Sequence, residues 1–521
     1  MRVYLHQFNT PTNRNLLPLA IGKLASYIKA DSTLSGRVAL NLNILRETAE
    51  TVIESYDEPD VIGFSVYMWN LAHTLEVAKL AKEKYPSAMI VFGGPSTYRD
   101  EDELNDFFGK YGFVDVSVIG EGEITFVALL HSILRNQPLE TVGGIAFQRE
   151  GAVILNGLRQ RERNLDVLPS PFLDGTFDEL LARHPNVFTG VVWETTRGCP
   201  FTCSFCDWGQ ATHAVVTEYS TKRLEAELEW MAQNKIFYVF LADANFGIKK
   251  RDATVATFMA DQFKKHGFPG VYNLSWVKNS STKVIEISEI LREAGIQYQV
   301  TLSMQSFSAK VLEAISRKNI PLETFFSLKK EMNSREMNTY TEILLGLPEE
   351  TYDSFTDGLT KSLSHTELDH FIIYLVRLLE NTEMNRPDYI DKFGIMKRTC
   401  KTAHGRRTLD DDALSEYEVI VVGTSTMPER DWHRSYVFGY FLAGLYNLRL
   451  LNVFMNFLRN NQQVDLKKFT EFIIDYADNN EPTVKRIVDD LFAMGQTILD
   501  GGKSVSQVEE FGKTYWDPHE I

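Results

Sequence analysis

Two periodicities alternate along the first 135 residues. Short apolar runs at 3–7 (VYLHQ), 38–44 (VALNLNI), 61–69 (VIGFSVYMW), 88–94 (AMIVFGG) and 114–120 (VDVSVIG) read as strands. Between them, 16–28 (LLPLAIGKLASYI), 73–84, 101–108 and a stretch from Glu123 have the spacing of amphipathic helices. Buried strands alternating with helices predict an α/β fold, here a Rossmann-like, doubly wound parallel sheet. Such sheets take ligands at the carboxyl ends of their strands. Gly63, Gly93–Gly94–Pro95 and Gly120–Glu121–Gly122 fall at or near those ends, where a missing side chain lets a ligand approach the backbone. None of them forms GxGxxG, so the nicotinamide fingerprint is absent.

Residues 140–158 read as a hairpin turning at Glu150–Gly151, and a charged, Pro-bearing linker runs from Leu158 to Gly175. From Val191 the alternation resumes. Strands at 191–196, 237–244, 271–276, 298–304, 338–346 and 370–378 interleave with helices at 221–234, 253–266, 284–294, 309–315 and 349–362. These six strand–helix units predict a partial (β/α)6 barrel, whose chemistry sits on loops after the strand ends. Beyond residue 430 the pattern is mostly helical, and the aromatic-rich stretch 436–458 predicts a buried helix pair or a pocket cap. The expected division is 1–138, a hairpin and linker at 139–185, a barrel at 186–400 and a helical C-terminal domain at 401–521.

Hydrophobic residues make up 44% and charged residues 24% of the chain, the balance of a globular protein. A net charge of −16 argues against nucleic-acid binding, which relies on phosphate neutralisation by Lys and Arg. No apolar run approaches the roughly 20 residues that span a bilayer. The first ten residues lack the apolar core of a signal peptide, so the expected location is cytoplasmic.

Three of the four cysteines fall within eight residues, as Arg197-Gly-Cys199-Pro-Phe-Thr-Cys203-Ser-Phe-Cys206-Asp-Trp-Gly. Clustering of this kind points to metal ligation in a reducing compartment. Three thiolates on a CxxxCxxC loop can hold three irons of a 4Fe–4S cubane and leave the fourth open to a bidentate ligand. A structural zinc would want a fourth ligand, for which His213 is the nearest candidate. Phe205, just before the third cysteine, can shield a cluster from water or simply pack. Cys400 stands apart and reads as a structural thiol.

At this loop the chain resembles the radical S-adenosylmethionine superfamily. PLAIGKLASYI, GFSVY, GGP and IGEGE in the N-terminal half resemble the cobalamin-binding-domain branch. LADANFG, LSMQSFS, EILLGLPEET and IIYLVRLLENTEM resemble that branch's barrel. The resemblance implies a 4Fe–4S cluster on Cys199, Cys203 and Cys206, S-adenosylmethionine cleaved to a 5′-deoxyadenosyl radical, and cobalamin carrying a methyl group. It implies a methyltransferase acting on an unactivated carbon of a small molecule, peptide or lipid, fed by an external donor such as flavodoxin or ferredoxin. A radical cyclase, epimerase or rrearrangement enzyme, and a non-enzymatic iron–sulfur or cobalamin sensor, are the alternatives.

Carried over by position, Asp243 and Asn245 would meet the methionine amine, Gln305 and Ser306 the ribose and carboxylate, and Gly346 the adenine. For Asp243 a helix cap is the structural alternative, and for Gln305 a strand-end hydrogen bond. The cobalamin edge would comprise Gly93, Gly94, Gly120 and Glu121. Tyr67, Trp69 and Asn70 would cover the corrin or pack on the barrel, and Trp208 would line the cleft. Arg377 would bind an anionic substrate group or pair with Glu380 or Glu342. No DxHxxG histidine is present, and His6 and His73 lie in other contexts, so cobalamin would bind without a protein imidazole. The alternative is a Rossmann domain kept for substrate binding or assembly.

Overall fold

A computed structural model describes residues 1–9, 16–211, 214–278, 281–337, 339–363, 370–402, 415–480, 482–504, 506–508 and 514–516. The first eight strands are β1 (Arg2–His6), β2 (Leu16–Leu17), β3 (Ala39–Asn43), β4 (Val61–Ser65), β5 (Met89–Gly93), β6 (Val116–Val118), β7 (Ile145–Arg149) and β8 (Ala152–Leu155). Seven of them form one sheet in the order β3-β1-β4-β5-β6-β7-β8, parallel from β3 to β6. The order reverses between β1 and β4, and the crevice at such a reversal is where doubly wound sheets hold ligands.

Both faces are covered. Val3, Leu5, Val91 and Val118 pack under helices Leu19–Ala30 and Gly122–Leu134. Tyr4, Ile62, Phe64 and Phe92 pack under helices Leu71–Lys84 and Glu101–Lys110. All five residues of β4 are therefore buried, the continuous apolar run expected of an interior parallel strand. The hairpin turns at Glu150 and Gly151, both left-handed, and β7 pairs antiparallel on β6, so it forms this sheet's far edge.

Leu16 and Leu17 depart from the helical reading of 16–28. Pro18 disfavours helical backbone in the residue before it, and β2 instead pairs parallel with the first barrel strand. The barrel strands follow: β9 (Gly190–Trp193), a short ribbon of β10 (Thr196–Arg197) and β11 (Thr217–Glu218), then β12 (Tyr238–Leu241), β13 (Val271–Asn273), β14 (Val300–Thr301), β15 (Thr339–Leu345) and β16 (His370–Leu375). β2-β9-β12-β13 and β14-β15-β16 are parallel sheets, bridged where Val271 pairs with Gln297. This is the six-stranded open barrel that the alternation predicts. Helix Leu322–Ser334, before β15, is an element the sequence reading passes over.

The C-terminal region opens with strands as well as helices. β17 (Met396–Thr402) and β18 (Glu416–Gly423) are antiparallel, and β18 extends the barrel sheet by pairing along Val376–Leu378. The expected boundary at residue 400 thus falls inside β17. Helices Glu429–Asn447 and Asn452–Gln462 meet at 97°, the first of them burying Trp432, Tyr436, Phe438 and Phe441. Among the described residues no single helix is long and apolar enough to cross a membrane, and only this bent pair passes that test of length and composition jointly.

His6 and His73 lie within the sheet's aromatic core. His6 stacks on Phe64, and its Nε2 hydrogen-bonds the Tyr56 hydroxyl at 2.8 Å. Burial, with His73 adding charge repulsion, drops its pKa from 6.5 to about 3. The unfolded chain therefore takes up a proton that the folded one refuses, and stability present above pH 6.5 is lost as pH falls toward about 3. His6→Gln should flatten that limb by about 2 kcal/mol between pH 7 and 5, read from urea midpoints. An unchanged slope would mean that His6 is not held neutral.

Candidate functional site

The cysteine loop leaves the barrel at the end of its first strand. Four contacts fix its path: Ser204 N donates to Ile315 O at 3.0 Å, Met384 N to Ser204 O at 2.9 Å, and Cys206 N to Cys203 O at 3.0 Å, while the Ser204 hydroxyl meets Tyr389 Oη at 3.0 Å. Helix Asp207–Ala211 then turns back onto the loop. At Gly209 a Cβ would lie 1.6 Å from the Phe201 carbonyl oxygen, so only glycine fits. Cys199 and Cys203 are buried and Cys206 is partly exposed. Phe205 packs against the cluster of apolar side chains around Val311, Leu347 and Met384.

The three thiols sit among cations and amide donors. Asn245 Nδ2 donates to Cys199 Sγ at 3.2 Å, and Arg317 Nη1 lies 3.9 Å from Cys203 Sγ. Lys278 lies within electrostatic reach of all three sulfurs. Burial lowers the pKa of both Lys278 and Arg317, and their mutual repulsion lowers Lys278 further. Burial also raises the Cys206 thiol, opposed by the Trp208 backbone and by Lys278. A buried Arg317 beside a half-buried Lys278 is costly alone and stable beside a thiolate-held, anionic group. No three His, Cys, Asp or Glu side chains among the described residues converge on a single ion. Three thiolates beside two cations suit an anionic cluster with three protein ligands, whereas a structural zinc wants four ligands. His213 lies outside the described residues. Lys278 and Arg317 escaped the sequence reading. Their only signal was a basic residue just past a barrel strand and another just past a helix.

The other expected barrel residues separate into two groups. Asn245 Oδ1 and Gln305 Oε1 are buried without a hydrogen-bond partner among the described residues. Gln305 adopts a left-handed backbone, φ +62°, at the strand end. Both amides therefore present unused acceptors near the cysteines' side of the barrel. Asp243, Ser306 and Gly346 are occupied structurally. The Asp243 carboxylate accepts Thr195 N at 2.7 Å and Thr196 N at 3.0 Å, as well as the Thr195 hydroxyl, and burial raises its pKa to about 6. It braces the turn before the cysteines and caps no helix. Ser306 Oγ donates to Glu350 at 2.6 Å, and a Cβ on Gly346 would meet the Val421 carbonyl at 3.0 Å. Arg377 is an ion-pair residue whose partner is Glu418 of β18, not Glu380 or Glu342. Cys400 is fully buried and donates to Ile498 O at 3.5 Å, in keeping with a structural thiol.

The carboxyl edge of the N-terminal sheet faces this loop. Arg99 pairs bidentately with Asp207 at 2.7 and 2.6 Å, and Asn381 Nδ2 donates to the carbonyls of Pro95 and Thr97. Arg197, two residues before Cys199, is held by Glu123 at 2.8 Å, Glu194 at 3.0 Å and Glu121 at 3.7 Å. On the sheet edge, Tyr67 and Trp69 stack with ring centroids 4.5 Å apart and planes 11° apart, both partly exposed. Asn70 is buried and spent on its own loop, accepting Tyr67 N and donating to Ser65 O and Phe8 O. Gly94, at φ +111°, lets the Val66 carbonyl approach to 2.6 Å of where a Cβ would stand, whereas nothing lies within 4 Å of that point on Gly120. Glu121 is engaged by Arg161 at 2.8 Å. Trp208 is 44% exposed on the first turn after the cysteines. His6 and His73 are sealed in the core, and this edge offers stacked rings and open backbone, a surface suited to a planar group.

Comparison with known proteins bears on both halves. The B12 binding domain family matches residues 23–130 and the radical SAM superfamily residues 193–359. The chain is 34% identical over 472 residues to the cobalamin-dependent radical SAM methyltransferase TokK of Streptomyces tokunonensis, covering 90% of this chain and 69% of that protein. It is 33% identical, with the same coverage, to 2-(S-pantetheinyl)-carbapenam-3-carboxylate methyltransferase of Streptantibioticus cattleyicolor. The fold is similar to that of the radical S-adenosylmethionine methyltransferase TsrM of Kitasatospora setae, with a TM-score of 0.60 at 15% identity over 84% of this chain and 89% of that one. It is also similar to the cobalamin-dependent radical enzyme OxsB, with a TM-score of 0.59 at 15% identity over 95% and 75%. The extent of these matches, laid over a three-thiol loop facing a doubly wound sheet edge, shows that the chain belongs to the cobalamin-dependent radical S-adenosylmethionine methyltransferases.

Proposed function

We propose that this enzyme methylates an unactivated carbon of a small, carboxylate-bearing molecule, in a cleft formed where the N-terminal sheet edge meets the barrel mouth. The observation that carries this reading is the set of contacts tying that edge to the cysteine loop, Arg99 to Asp207 and Glu123 to Arg197. These contacts support a single space shared by the two proposed cofactor surfaces. The two relatives at about a third identity favour a small molecule over a peptide or lipid, since one of them is named for a pantetheinyl carbapenam carboxylate.

Cys199, Cys203 and Cys206 hold the cluster in this reading, with Asn245 Nδ2 and Arg317 beside the sulfurs. The free Asn245 Oδ1 receives the methionine amine, Lys278 its carboxylate, and Gln305 Oε1 a ribose hydroxyl. Asp243, Ser306 and Gly346 support this surface from behind. Tyr67, Trp69, Gly93, Gly94 and Gly120, with Glu121 beneath, form the corrin edge, and Trp208 lines the cleft. When bound, the cluster supplies an electron to the sulfonium and cobalamin carries the methyl group. We assign residues 1–138 to the cobalamin domain, 139–185 to the hairpin and linker, 186–395 to the barrel and 396–521, from β17 onward, to a covering region. An external flavodoxin or ferredoxin supplies electrons, nucleic acid plays no part, and the reducing cytoplasm suits three clustered thiols.

Anaerobic turnover with reductant, cobalamin and substrate should yield S-adenosylhomocysteine and 5′-deoxyadenosine in equal amounts, tracking methylated product by mass spectrometry. Deoxyadenosine without S-adenosylhomocysteine would replace methyl transfer by radical cyclisation or epimerisation. S-adenosylhomocysteine alone would mean polar transfer.

Two substitutions test the residue assignments. Gly209→Ala should lower iron and sulfide content after reconstitution severely, because the added Cβ meets the Phe201 carbonyl. Lys278→Met should keep about four irons per chain. It should weaken S-adenosylmethionine binding about tenfold or more, the cost of losing a charge-assisted contact. Unchanged affinity would remove Lys278 from the site.

A further inference from the structure

Helix Leu71–Lys84 begins behind the Tyr67–Trp69 pair, and its N-terminal N–H groups need acceptors. Asn70 stands at the N-cap position but makes no side-chain cap, because its amide is committed to the loop before it. The acceptor comes instead from the other end of the molecule. Glu416, the first residue of β18, takes Ala72 N at 2.7 Å and His73 N at 3.2 Å. The same carboxylate accepts Arg46 Nη2 at 2.7 Å, and Arg46 Nη1 donates to the Trp69 carbonyl at 3.0 Å. The side chains of Arg46 and Glu416 are 7% and 1% exposed. A carboxylate so buried is stable only with its partners in place, and here those partners are the helix start that ends the Tyr67–Trp69 loop and the arginine that holds the Trp69 carbonyl.

We propose that Glu416 and Arg46 are positioning residues that set the Tyr67–Trp69 pair, so that the hairpin after the barrel is a working part of the cobalamin edge. The proposal rests on the reading of that edge given above. Glu416 clamps the loop's C-terminal side through the helix start, and Arg46 carries the same anchor back to the Trp69 carbonyl. The indole plane is thereby referenced to β18 and not to the N-terminal sheet alone. Glu416→Gln removes the charge while keeping the shape, and leaves one acceptor for three donors.

Two readouts on the full chain separate the latch from the cofactor reading. Amide hydrogen exchange across residues 66–73 of cofactor-free protein should quicken in Glu416→Gln. It should stay unchanged in Glu429→Gln, which breaks the more exposed Arg398 pair of the same region. Hydroxocobalamin should bind Glu416→Gln about tenfold more weakly, with iron and sulfide content unchanged. In a Trp69→Phe background, the same change should have little further effect on hydroxocobalamin affinity, the non-additivity expected of coupled residues. Unchanged exchange, or full additivity with Trp69→Phe, would overturn the latch. Quickened exchange in Glu416→Gln, together with a wild-type chain that binds no hydroxocobalamin, would keep the latch and overturn the cofactor reading.

Discussion

The structure turns on the buried environment of Arg197. Its guanidinium is shared among Glu123 and Glu121 of the N-terminal domain and Glu194 at the end of the first barrel strand. Lys23, from helix Leu19–Ala30, reaches the same Glu194 and hydrogen-bonds Tyr219 Oη at 2.8 Å. Burial opposes the charged forms of Arg197, Lys23, Glu194 and Glu123. Arg197 and Lys23 nonetheless hold the Glu194 carboxyl well below its ordinary range and lower that of Glu123, and Glu194 raises Lys23 in return. Such a network adds little net stability over apolar packing, yet breaking one partner strands the rest at about 3–5 kcal/mol. Its value is geometric. Arg197 is two residues from Cys199, so the domain interface and the start of the cysteine loop form one rigid object.

That constraint explains why the chain enters the barrel twice. β2 joins the barrel sheet beside β9 before helix Leu19–Ala30 returns to the N-terminal sheet, carrying Lys23 to Glu194. Gly22, one residue earlier, packs with its missing Cβ 2.6 Å from the Phe177 ring, so this helix is seated tightly against the linker as well. The first βα unit is thus shared between domains. The charge network lies where two surfaces would otherwise slide.

Much of this was legible in the sequence, and the failures have a common cause. Alternating apolar runs located both sheets because a parallel strand buried on both faces needs no partner to be recognised. The spacing of Cys199, Cys203 and Cys206 was legible because the loop's function is local. Lys278, Arg317 and Glu416 were not, since each reaches its role through a contact distant in sequence: Arg317 is 114 residues from Cys203, and Glu416 is 344 from Ala72. Asp243 sits at the predicted strand end with its carboxylate turned to Thr195 and Thr196, because their N–H groups at the adjacent strand end need an acceptor more than a ligand does. A strand-end position identifies a neighbourhood, and hydrogen-bond competition decides which residue there stays free.

The same competition sorts the rest of the site. Ser306 is satisfied by Glu350, and Arg377 by Glu418. Asn245 and Gln305 keep an unpaired buried oxygen each, a state that costs about 1–3 kcal/mol unless something fills it. Lys278 keeps a half-buried ammonium with no carboxylate partner among the described residues. Two orphan acceptors and one cation beside three thiols are what the proposed S-adenosylmethionine site rests on. In a chain of net charge −16 most acids around this pocket are paired, Glu123 and Glu194 with Arg197, Asp207 with Arg99 and Glu416 with Arg46, while Glu342 stays beside it and accepts the Ser303 hydroxyl and Gln305 Nε2. The ion pairs that join the N-terminal sheet edge to the cysteine loop thus also neutralise the carboxylates they use, Glu123, Glu194 and Asp207.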